Sequence, residues 1–159
     1  MTTSIEQLLA EQPYFKGLSP SQLAAVTGCA KNVRFEAGEH LLRQGDDANE
    51  FFVIRQGKVA LEASAPAGPI TIQTLGDGDV VGWSWLVQPH VWRLGAVARE
   101  LTRAIALDGA CLRRKCEEDH DLGFELLKRF SFLISERLEA TRLQLLDFYS
   151  PAPSGGARR

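Results

Sequence analysis

The chain has 159 residues, 45% of them hydrophobic and 24% charged, with a formal net charge of −2. That suits one domain, residues 1–150, large enough to bury roughly 70% of its unfolded surface, and the near-neutral balance offers no basic face for DNA. The start lacks the basic and apolar segments of a secretion signal and no apolar run reaches a membrane span, so a cytoplasmic protein without membrane contact is expected.

Apolar residues at Ile5, Leu8 and Leu9 predict a short helix that Pro13 breaks. Ser19 as a cap, Pro20 at the first helical position, and Leu23, Ala24 and Val26 predict a second. From about residue 31 to 108, short apolar runs end at glycines. Gly38, Gly45, Gly57, Gly76 and Gly78 read as turn positions, at the close spacing of an all-β roll or barrel.

After Asp108 the period becomes helical. Arg113, Arg114 and Lys115 read as a solvated helix face. Leu127, Phe130, Ile134, Leu138, Leu145 and Phe148 keep three-to-four spacing and predict a long helix over about 122–148. A second stripe, Leu126, Leu133, Ala140 and Leu143, makes the apolar face wider than one small roll requires. A second copy of the same helix would cover it, so a homodimer is expected. Residues 151–159, rich in Pro, Gly, Ser and Ala, predict a disordered tail.

The cysteines, Cys29, Cys111 and Cys116, are odd in number and lack zinc-knuckle spacing, which suggests free thiols in a reducing compartment. His40, His90 and His120 are scattered, so no metal or other cofactor is expected. No nucleophile, base and orienting group share one location, and an enzyme is not expected.

The stretch GWSWLVQPHVWR, residues 82–93, holds all the tryptophans of the chain. Each indole needs burial for its ring and a partner for its N–H, so this is either a rigid apolar seam or a shaped pocket. The runs FEAGEHLLRQGDDANEFFVIRQGKV and LGDGDVVGW, in that order, resemble the cyclic-nucleotide-binding domain, a β-roll of catabolite-activator-type regulators, kinase regulatory subunits and gated channels. The resemblance covers about residues 10–148. It implies a mainly β fold, an antiparallel double-stranded roll of jelly-roll type over 31–108, with short N-terminal helices and helices over 109–148, the last resembling a dimerisation helix.

The resemblance also implies a phosphate-binding cassette starting at Gly82. Gly82 and Leu86 match the family pattern, and Arg93 falls where the family arginine binds the cyclic phosphate. Trp83 replaces the glutamate that accepts the ribose hydroxyl, and an indole is a donor only. Trp85 replaces a small residue, and Leu94 replaces a Ser or Thr. The candidate ligand-binding residues are therefore Gly82, Trp83, Ser84, Trp85, Leu86, Trp92, Arg93 and Leu94, with Trp83, Trp85 and Trp92 expected to wall in Arg93. Each lost polar partner costs about 1–3 kcal/mol, so tight binding of cyclic AMP or cyclic GMP is not expected.

Three readings stay open. The first is a stand-alone regulatory sensor of another anionic or nucleotide-like small molecule, signalling through its dimer helix to a separate effector protein. The second is a weak cyclic-nucleotide binder. The third is a ligand-free dimerisation module.

Overall fold

Two capping boxes begin the chain, each closed by a serine and a glutamine three residues on. The computed structural model describes residues 4–149, so the expected tail at 151–159 lies outside the described residues. Ser4 Oγ accepts from Gln7 N–H while the Gln7 side chain accepts from Ser4 N–H, opening α1 (Ile5–Ala10). Ser19 and Gln22 repeat the device at α2 (Pro20–Thr27), with Pro20 at its first turn. A 3-10 turn at Pro13–Phe15 lies between them.

The roll follows as β1 (Ala30–Phe35), β2 (His40–Leu42), β3 (Glu50–Gln56), β4 (Val59–Ala63), β5 (Ile70–Leu75), β6 (Val80–Val81), β7 (Gly95–Ala98) and β8 (Thr102–Asp108). The strands make two antiparallel four-stranded sheets, ordered β1-β8-β3-β6 and β2-β7-β4-β5. Gly38, Gly45, Gly57 and Gly78 adopt positive φ at the turns between them; Gly76 does not. The register runs from Ala30 opposite Leu107 to Phe35 opposite Thr102 on one side of β8, and β3 pairs on its other side.

Strand β3 shows why both layers hold together. Phe51 to Ile54 are all buried, and alternation sends neighbouring side chains to opposite faces. The Phe52 ring meets Phe35 of β1 edge-on, while Phe51 meets Phe130 of the last helix.

Asp108 caps α3 (Gly109–Glu118), its carboxylate accepting from Cys111 N–H at 3.0 Å. Helix α4 (His120–Tyr149) is 30 residues long, slightly longer than the sequence periodicity suggests. Its inward face is Leu122, Leu126, Phe130, Leu133 and Arg137. This corrects the assignment of stripes: Phe130 and Leu133 lie on one face, and both pack against the chain's own roll. Leu127, Leu138, Leu145 and Phe148 stand exposed on a different side.

Two further expectations are corrected. Cys29 and Cys111 form a disulfide, leaving Cys116 as the free cysteine among the described residues. The end of α2 and the start of α3 converge, with Asp108 N–H donating to Cys29 O at 2.8 Å, so the two Cα atoms sit 5.9 Å apart, within bridging range. The basic cluster on α3 is not uniformly solvated either. Arg113 Nη1 donates to the Trp85 carbonyl, and Lys115 Nζ donates to the Ala25 carbonyl at 2.7 Å, so only Arg114 of the three faces solvent fully. No helix among the described residues is long and apolar enough to cross a membrane.

Candidate functional site

The cassette loop leaves β6 at Gly82, whose φ of +98° favours glycine. A Cβ there would lie 2.5 Å from the Trp92 ring, so the far end of the same loop folds back onto the glycine. This close approach explains why the tryptophan-rich stretch begins and ends as it does: Gly82 is the floor on which Trp92 lies, and Trp92 is 6% exposed.

Beside this contact is a cavity of about 30 Å³, room for about two water-sized groups. Gly82, Trp83, Ser84, Trp92, Arg93 and Leu94 line it, together with Leu42 and Leu61 of the roll and Arg137 of α4. The structure thus brings most of the expected residues to one place.

Trp85 and Leu86 are exceptions. Neither lines the cavity, and Trp85 is fully buried against the helices. It stacks on Phe51 with ring centroids 4.7 Å apart and meets Phe130 edge-on at 5.2 Å. A Cβ at Gly109 would come within 2.8 Å of Trp85 Cβ, so α3 also begins against this indole. The expected wall of three tryptophans around Arg93 is therefore corrected to two: Trp85 belongs to the joint between roll and helices.

Trp83 is half-buried, and the cation over its ring is Arg137, 5.7 Å from the centroid, not Arg93. Arg93 is exposed and forms no ion pair among the described residues. Arg137 is only 7% exposed, and one of its nitrogens, Nη2, donates to the Val80 carbonyl. Burial lowers its pKa from the usual value, while Asp79, Tyr14 and Glu136 nearby act the other way. Arg137 was missed by the sequence reading. The signal that finds it is phase: it continues the buried series Leu122, Leu126, Phe130, Leu133, and a charge in that series must have a special environment.

The N-terminal segment braces α4 at the same level. Tyr14 Oη donates to Glu136 Oε1 at 2.5 Å, and Arg129 Nη2 donates to the Lys16 carbonyl at 2.6 Å. Cassette, N-terminal turn and both helices therefore meet around the Arg137 and Trp85 contacts.

Comparison with known proteins agrees with this architecture. The family model described as "Cyclic nucleotide-binding domain" matches residues 32–119. The chain is 26% identical over 144 residues to a CRP-like cAMP-activated global transcriptional regulator of Mycobacterium tuberculosis, a match that covers 90% of this chain and 62% of that protein's length. Among solved structures, a cyclic nucleotide-binding domain from Methylobacillus flagellatus has a TM-score of 0.75 at 20% identity, covering 90% of this chain and 81% of that one. The sensor domain of the transcriptional regulator DNR from Pseudomonas aeruginosa has a TM-score of 0.68 at 20% identity, covering 84% of this chain and 91% of that one. With the family model matching residues 32–119 and a β-roll of the same architecture, the chain belongs to the cyclic nucleotide-binding domain family.

Proposed function

We propose that this chain is a regulatory small-molecule sensor that does not hold cyclic AMP or cyclic GMP tightly and reports occupancy through α4 to a second copy and, from there, to a separate effector protein. The observation that carries this reading is the position of Trp83. At the place of the ribose-binding carboxylate, its indole lies beneath Arg137 and borders a cavity of about 30 Å³, whereas pockets for drug-sized ligands run to about 300–1,000 Å³. An indole neither accepts the ribose hydroxyl nor leaves room for it.

The route from cavity to helix is short. Trp83 touches Arg137 of α4, Trp85 touches Phe130 of α4, and the Trp85 carbonyl accepts from Arg113 of α3. A ligand that shifts the loop changes three helix contacts at once, to the extent that it binds the two arrangements with different affinity. The exposed apolar series Leu127, Leu138 and Leu145 gives α4 a face that a second α4 would cover.

The test has two arms: thermal melting with cyclic AMP and cyclic GMP at 100 μM, and light scattering for mass. No nucleotide shift together with a dimer supports the reading. A clear nucleotide shift lost in Arg93→Ala overturns it in favour of a cyclic-nucleotide binder. The small cavity also favours a second reading, a ligand-free dimerisation module, which a dimer unresponsive to nucleotides, cyclic dinucleotides and organic acids alike would establish.

A further inference from the structure

The sensor reading leaves the ligand's chemistry open, and Arg137 narrows it. This side chain is 7% exposed and lines the cavity, its Nη2 donates to Val80 O, and its Nη1 is buried with no hydrogen-bond partner among the described residues. No carboxylate pairs with it among those residues. A guanidinium keeps its charge at any ordinary pH, and burial without a directly paired carboxylate is costly. Asp79 and Glu136 nearby offset part of that cost through space but accept no hydrogen bond from its nitrogens. The Trp83 face offsets part of that cost, yet an indole supplies no lone pair for the N–H groups of Nη1.

The surroundings select among anions. Leu42, Leu61, Trp92 and Leu94 make the walls apolar. Arg93 is exposed, so its charge is already solvated, and one desolvated positive charge remains. A monoanion neutralises it, whereas a dianion would leave a net negative charge in an apolar setting. The planar oxygens of a carboxylate suit guanidinium N–H groups, and about 30 Å³ admits such a group but not a phosphodiester with its sugar.

We propose that the cavity binds the carboxylate of a small monoanionic acid, with Arg137 of α4 as its receptor. This inference rests on the sensor reading and assigns its ligand class. Because the receptor is a residue of α4, capture of the anion acts on the helix directly as well as through the loop.

The experiment is thermal melting of the full chain at about pH 8.5, where phosphate is chiefly the dianion, in sodium formate, acetate or phosphate against sodium chloride at matched ionic strength. Formate or acetate at tenfold above its dissociation constant is expected to raise Tm by roughly 3–6 °C, and chloride and phosphate to leave it unchanged. The rise should vanish in Arg137→Gln and survive in Arg142→Gln, an exposed control. Absence of a carboxylate shift, an equal shift with phosphate, or a shift that survives Arg137→Gln overturns the inference. If Arg137→Gln does not fold, the Nε–H resonance of Arg137 in the unmodified chain serves instead: it should move with acetate and not with chloride, and a resonance unmoved by acetate overturns the inference. A shift with a cyclic dinucleotide alone would sink the carboxylate site and leave sensing intact, whereas a cyclic AMP or cyclic GMP shift lost in Arg93→Ala would sink both. Acetate binding that leaves the association of α4 unchanged in scattering would sink the sensor coupling and leave the site intact.

Discussion

Phe130 of α4 meets Trp85 of the cassette loop edge-on, with ring centroids 5.2 Å apart and planes at 80°. Trp85 also stacks on Phe51 of β3, so three rings join loop, roll and helix in a close-packed contact that none can leave independently. Trp85→Ala and Phe130→Ala should each cost about 3–5 kcal/mol. Together they should show a coupling energy of about 0.5–1.5 kcal/mol in urea unfolding. Strict additivity would mean that the edge-on contact does not link loop and helix.

The two sides of α4 should respond differently to the same substitution. Leu138 is 67% exposed and Leu133 is 2% exposed. Leu138→Glu should halve the mass seen by light scattering while the circular dichroism spectrum is kept. Leu133→Glu should destabilise the fold itself by about 3–5 kcal/mol, because it buries a charge without a partner. A Leu138→Glu protein that remains dimeric would place the interface on another surface.

Cyclic AMP at 100 μM should leave the melting temperature unchanged, although a 1 μM binder would add about 2.7 kcal/mol under those conditions. The double variant Trp83→Glu, Leu94→Ser should gain a cyclic-AMP-dependent shift by restoring an acceptor and a hydroxyl while removing the indole. Trp85 stays in place in that variant because its removal would hollow the joint with α4. No gain would show that the barrier lies elsewhere, and Arg137 is the first neighbour to test, since it stands over position 83.

Reduction of the Cys29–Cys111 bridge, whose cysteines lie 82 residues apart in sequence, should lower unfolding free energy by about 2–4 kcal/mol. Urea titrations with and without dithiothreitol measure this, and Cys29→Ser should remove the difference. An unreduced, unfolded sample should titrate one thiol with Ellman's reagent, that of Cys116; three thiols would rule out the bridge. In the folded protein Cys116 should react slowly at neutral pH, because burial, with Asp119 and Glu117 adding to it, raises its pKa.

The Tyr14 phenol is raised well above its ordinary range, first by burial and then by its hydrogen bond to Glu136. A group whose pKa is raised by folding stabilises the native state below its unfolded pKa, and that contribution is lost as pH rises through the folded value. Tyr14→Phe should therefore be less stable than the parent at pH 7, and the gap should close above about pH 10, where the unfolded phenol ionises. A gap that widened with pH in guanidinium titrations would contradict the assigned direction.

The sequence by itself determined the features that short-range chemistry controls. Ser19 and Pro20 mark the start of α2 by contacts within one turn, as the structure's Ser4–Gln7 and Ser19–Gln22 boxes do, and apolar runs broken by turn glycines specify a roll because each strand and turn is a local choice. The extent of α4 was legible for the same reason, since a 3.6-residue period needs no partner to be visible. Its phase was not: Leu133 and Leu138 both belong to apolar stripes, and only the roll's position buries one and exposes the other. The fates of Trp83 and Trp85, the Cys29–Cys111 bridge and the placement of Arg137 over the cassette were likewise decided by tertiary structure. In each case the deciding contact joins residues far apart in the chain, and sequence spacing carries no record of which distant group will arrive to fill the space.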